Sequence, residues 1–88
     1  PQYILGMHSI EARDSSGKKK DVMAVRTFMP DAKQIFVIDL KDDKKIWEMD
    51  KVHNDGLYEA IIWDRSEKFR YKYKYIGWYG MEIWFRSW

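Results

Sequence analysis

Phe69-Arg70-Tyr71-Lys72-Tyr73-Lys74-Tyr75 alternates ring and cation at every step. In an extended chain successive side chains point to opposite faces, so a strand gathers all four rings on one side and all three cations on the other. A helix would scatter both sets around its axis. The stretch therefore predicts a β-strand with an aromatic core face and a solvated basic face.

Working outward, segments 21–28, 33–40, 44–49, 56–62 and 82–85 are short runs rich in Val, Ile, Phe, Tyr and Trp, and each reads as a further strand. Segment 33–40 is apolar at almost every position, which fits a strand covered on both faces or one at a domain contact. Breakers fall between the runs. Pro30 cannot donate to a ladder and holds Met29 extended, which ends the first strand. Asn54-Asp55-Gly56 tolerates a left-handed backbone and predicts a hairpin between the third and fourth strands. Residues 15–20 and 41–43 read as solvated loops. Segment 42–52 carries a competing helical reading, because Ile46, Met49 and Val52 would also share a helix face. Short strands at close spacing make the chain all-β, an immunoglobulin-like antiparallel β-sandwich.

Composition bounds the rest. Eighty-eight residues make one domain, which buries only about 60% of the surface its unfolded chain exposes. Aromatic residues at 17% offset that shortage, since each buried ring removes roughly 150–250 Å² from water. Without cysteine there is no disulfide, thiol nucleophile or cysteine-ligated zinc. No apolar run approaches the ~18–20 residues of a membrane-spanning helix, so no membrane partner is expected. A net charge of +2 does not by itself call for a polyanionic partner.

Catalytic signals do not emerge. The chain has no Gly-x-Ser-x-Gly elbow, no His-Glu-x-x-His helix and no phosphate loop. His8 and His53 are far apart in sequence, and no convergent metal ligands or cofactor motif accompany them. A glycan-cleaving site needs two acids flanking the scissile bond, one in an apolar pocket. Glu48 and Glu59 read as outward strand positions, Asp42-Asp43 as a loop tip, and Asp64 and Glu67 as loop residues. The chain is therefore expected to be inert by itself and to need no cofactor.

Four phrases, in register, carry a family resemblance: Leu5-Gly6-Met7-His8, then Val25-Arg26 leading to Pro30-Asp31-Ala32, then Asp55-Gly56-Leu57-Tyr58, then Phe69-Arg70-Tyr71-Lys72-Tyr73. Together they resemble the amino-terminal domain of bacterial 1,4-α-glucan (glycogen) branching enzymes. The closing segment 81–88 departs from the family's Asp-Pro-Tyr-x-Phe-like phrase, having no proline and three large aromatics. The resemblance implies that residues 1–88 are a single accessory sandwich within a larger cytoplasmic enzyme of glycogen biosynthesis. It also implies that the catalytic carboxylates lie on a downstream (β/α)8 barrel. This domain would then brace the following sandwich and barrel and hold or steer the glucan chain.

The candidate carbohydrate-binding residues are Trp78, Tyr79, Trp63 and Trp47. An indole offers a flat apolar face to the C–H side of a glucose ring, and neighbouring polar groups can bond the hydroxyls. The competing role for the same rings is packing or docking against neighbouring domains. A free-standing protein-interaction domain is the rival reading of the whole chain. A single-stranded nucleic-acid module is a further one, because rings beside cations can stack bases; strict alternation opposes it by putting rings and cations on different faces.

Overall fold

The computed structural model describes residues 5–78, 80 and 82–87, the last six through their backbone. Eight strands appear in the order β1 (Gly6–Arg13), β2 (Lys19–Phe28), β3 (Ala32–Asp39), β4 (Ile46–Glu48), β5 (Asp50–His53), β6 (Leu57–Ile62), β7 (Tyr71–Gly77) and β8 (Glu82–Ser87). They form two antiparallel four-stranded sheets, β1-β2-β6-β5 and β4-β3-β7-β8. The β-sandwich expected from the sequence is the observed fold.

Period-two patterning explains the packing. Opposed residues in an antiparallel pair share a face, and Val25 opposite Ala60 and Met23 opposite Ile62 turn inward from the first sheet. Val37 opposite Tyr73 comes from the second. Met23, Val25, Ile35, Val37 and Ile62 are essentially inaccessible to solvent, and Tyr58, Tyr71 and Tyr73 are buried among them. Tyr58 reaches across the core to donate its hydroxyl to the Ala32 carbonyl oxygen at 2.7 Å. That bond satisfies a phenol that would otherwise be costly to bury, and burial pushes the Tyr58 pKa up.

The alternating Tyr-Lys strand behaves as its pattern requires. Tyr71 and Tyr73 are buried while Lys72 and Lys74 stay half-exposed on the opposite face. Buried as they are, Tyr71 and Tyr73 offer no face on which a base could stack. Phe69, expected to begin the strand, precedes it in an irregular segment and packs against the core edge.

Segment 42–52 is not helical. Ile46–Glu48 pairs with β3 and Asp50–His53 pairs with β6, so the chain changes sheets at Met49. Met49 itself is buried, and its N–H donates to the Ile35 carbonyl oxygen at 2.8 Å. One expected strand thus becomes two, and the hairpin through residues 54–56 joins β5 to β6. Gly56 at that turn has φ +114, and a β-carbon there would lie 2.6 Å from Pro30 Cα. Only glycine fits against the proline.

The strand Gly6–Arg13 was not expected. Its composition is mixed, and it forms because the edge of β2 offers unpaired backbone groups that register Met7 opposite Val25 and Ile10 opposite Val22. Its turn to β2 is fixed by Asp14, whose carboxylate accepts from the Ser16 hydroxyl and from the N–H groups of Ser16 and Lys18. The bonds from Ser16 and Lys18 hold the Asp14 pKa below the usual carboxylate value.

Truncating a core ring should be costly. Tyr71→Ala is expected to lose about 3–5 kcal/mol of unfolding free energy, as large-to-small aromatic changes in cores do. Urea denaturation followed by circular dichroism checks it, and a loss below about 1 kcal/mol would contradict this packing.

Candidate functional site

Where β4 leaves one sheet and β5 joins the other, the two layers part and leave a groove of about 420 Å³. Trp47 and Glu48 of β4, Asp50 and Val52 of β5, Glu59 and Ile61 of β6, and Trp63 just beyond β6 are among its walls. The volume falls within the range of small-ligand sites, roughly 300–1,000 Å³. Trp63 is 43% exposed, and Ile46 and Val52 are exposed beside it. The groove thus has aromatic and aliphatic walls with carboxylates on its rim.

The two tryptophans contribute differently. Trp47 is half-buried and packs against the core, with its ring centroid 5.5 Å from that of Phe69. Trp63 stands at the strand end with an open face. Sequence spacing gave no reason to join them; the sheet change at Met49 does.

Trp78 lies elsewhere. It follows β7, whose last residue Gly77 is opposite Ala32, and Ala32 receives the hydroxyl of Tyr58 near the start of β6. Trp63 follows the other end of β6, about 20 Å of strand away. Trp78 is 61% exposed, in a turn where the Gly80 N–H donates to the Gly77 carbonyl oxygen. Tyr79 lies outside the described residues.

Glu48 and Glu59 read in the sequence as outward strand positions, and the fold brings them together with Asp50, which no sequence pattern singles out. Asp50 lies directly opposite Glu59 in the sheet, and Glu48 lines the same groove. Glu59 is occupied by Arg26, whose Nε donates to Oε2 at 2.6 Å. Glu48 and Asp50 have no ion-pair partner among the described residues and can accept hydrogen bonds from a ligand's hydroxyls. No group of three or more potential ligating side chains able to hold a metal ion occurs among the described residues. His53 is exposed and bonded to Asp55 at 2.7 Å, and His8 is half-buried on β1 opposite Ala24.

One electrostatic knot supports the groove from behind. Arg65 donates through Nη2 to Asp39 Oδ2 at 2.8 Å, and its guanidinium lies 4.5 Å from the Phe69 centroid and 5.5 Å from that of Trp47. Asp39 is 4% exposed. Burial opposes its ionisation, yet the Lys41 N–H, the Arg65 guanidinium and the Asp42 N–H outweigh that and hold its pKa below the ordinary value.

Residues 1–80 match the family model described as alpha-1,4-glucan branching enzyme GlgB, N-terminal domain. This chain belongs to the GlgB N-terminal domain family. It is similar to the 1,4-alpha-glucan branching enzyme GlgB of Shewanella sp. strain MR-4, at 33% identity over 73 residues, covering 83% of this chain and 9% of that protein. The enzyme of Shewanella baltica strain OS185 is 35% identical over 68 residues, covering 77% of this chain and 8% of that protein. The chain therefore spans about a tenth of the length of these GlgB relatives. No solved structure matches it.

The knot predicts a pH dependence. Because the Asp39 pKa is lowered by folding, its contribution is present above the unfolded value of 3.8 and is lost as pH falls through the folded value. Asp39→Asn should flatten the decline in stability below that pH. Arg65→Leu leaves a buried carboxylate unpaired and should cost about 2–3 kcal/mol at pH 7, less than a fully enclosed pair would. Urea midpoints between pH 7 and pH 2.5 measure both effects.

Proposed function

We propose that the domain serves as the amino-terminal accessory module of a 1,4-α-glucan branching enzyme, bracing the catalytic domains and holding the glucan chain in the groove beside Trp63. The observation that carries this reading is the meeting of Trp63, Trp47, Glu48 and Asp50 at the sheet change. The exposed indole supplies a stacking face and the carboxylates supply acceptors for sugar hydroxyls. Bracing is supported by apolar side chains on the outer face of the second sheet, where Phe36, Ile38 and Ile46 border a small hollow with Lys74. Exposed Trp78, at the far end of the sandwich, fits the same docking role. In the parent enzyme an α-1,4 bond would be cleaved on a downstream barrel and the chain passed to a 6-hydroxyl, in the cytoplasm. The domain itself would influence which length of chain is transferred.

A shallow groove buries little of its ligand, so the affinity for maltoheptaose is expected to be millimolar, worth about 4 kcal/mol. Titration followed by NMR should shift the Trp63 indole and leave Trp78 unmoved. Trp63→Ala should abolish the shifts while changing stability by less than about 0.5 kcal/mol, as exposed substitutions do. Shifts that survive Trp63→Ala would contradict the assignment.

The same groove should not cleave or branch glucan. Asp50 and Glu59 face each other, but Arg26 occupies Glu59, and a general acid needs a carboxyl in an apolar setting without a bonded cation. Iodine staining and reducing-end assays with amylose are expected to show no turnover. Activity that follows the protein through purification would refute this.

A further inference from the structure

We propose that a second groove, built around Phe69 and opposite in charge to the first, binds a phosphorylated sugar. The irregular segment before β7 separates two hollows of about 380 and 400 Å³ that share Lys68, Phe69 and Arg70 as their common wall. Leu5, Gly6, Met7 and Tyr71 line the first, and Asp39 and Lys41 line the second. Each is of a size for a small ligand.

The charge balance of this region is one-sided. Lys41, Lys68 and Arg70 have no ion-pair partner among the described residues. Asp39 is the only acid among the described residues lining either hollow, and it is already committed to Arg65 and to the Lys41 N–H, at 2.8 Å each. It is also almost completely buried. Three cations therefore surround an aromatic wall with no uncommitted acid among the described residues that line it, and a concave surface of one sign concentrates counter-ions. A phosphate monoester satisfies that field, with Arg70 able to offer a bidentate fork and the lysines point charges.

The walls between the cations are apolar. Phe69 and Leu5 offer C–H and ring surface, Met7 lies beneath with its sulfur accepting the Phe69 N–H at 3.5 Å, and Gly6 adds no side chain over the Tyr71 hydroxyl. Such surface suits the ring of a sugar better than a bare inorganic anion. The groove around Trp63 carries unpaired carboxylates instead and would repel phosphate. Because Trp47 and Phe69 touch, the two sites share one aromatic partition with opposite charge on its two sides.

The test uses the 88-residue chain, labelled with ¹⁵N and titrated at constant ionic strength with glucose 6-phosphate, glucose, inorganic phosphate and a single-stranded oligonucleotide. Glucose 6-phosphate should give saturable shifts at Met7, Lys41, Phe69 and Tyr71 that weaken as salt rises. Glucose should not shift them, and inorganic phosphate should bind at least about tenfold more weakly, for want of sugar contacts. Lys68→Gln and Arg70→Gln should each weaken binding by about tenfold, the loss of one charge-assisted hydrogen bond, with the rest of the spectrum unchanged. Equal affinity for inorganic phosphate, tighter binding of the oligonucleotide, or unchanged affinity in both variants would overturn the proposal. The maltoheptaose titration reports on Trp63, so either site can fail without the other.

Discussion

The Arg65 guanidinium is the contact on which this sandwich most depends at its open end. It comes from the loop after β6, in the first sheet, and bonds Asp39 at the end of β3, in the second. It also lies over Phe69 and Trp47, while its own carbonyl oxygen accepts the Met23 N–H from β2. A cation over aromatic faces is worth roughly 0.5–2 kcal/mol depending on desolvation, and the ion pair adds to it. Few other residues tie both sheets and the irregular segment before β7 at once. Trp47, Phe69, Tyr71 and Tyr73 continue from it as a run of touching rings into the core.

The change of sheets at Met49 turns that architecture toward function. A strand that stayed in one sheet would have put Trp47 and Val52, five residues apart, on opposite faces. By crossing, the chain leaves a gap whose walls come from both sheets, with Trp63 at its mouth. The cost of crossing is kept low because the Met49 N–H still bonds Ile35 and its side chain fills the core. Short edge strands on both sides limit the backbone left unpaired, as edge strands in soluble proteins commonly do.

Charge then divides the surface around the shared aromatic partition. On one side Arg26 occupies Glu59 while Glu48 and Asp50 remain as acceptors; on the other Asp39 is committed to Arg65 while Lys41, Lys68 and Arg70 remain as donors. The two internal pairings therefore decide the sign of each groove. In its GlgB relatives the region that matches this chain is about a tenth of a much longer protein.

Local pattern determined the fold class and much of the core. The Tyr-Lys alternation of β7 has one extended solution that buries its rings, and Pro30 and Gly56 mark turns through backbone restrictions that act within a few residues. The family phrases were legible for the same reason, since they lie at those turns and strands. The sandwich reading and the inward ring face of β7 followed. Tertiary structure alone decided the rest. β1 has weak intrinsic preference and is a strand only because β2 has an edge to fill. Whether 42–52 was helix or strand depended on which partner each half could pair with, which no local pattern states. The candidate site followed suit: the four aromatic candidates were chosen as types, but bringing Trp63 to Trp47, separating both from Trp78, and assembling Glu48, Asp50 and Glu59 required the strand register and the crossover at Met49. Side chains distant in sequence meet only when the sheets are packed, and the sign of the field between them depends on which neighbours are already paired.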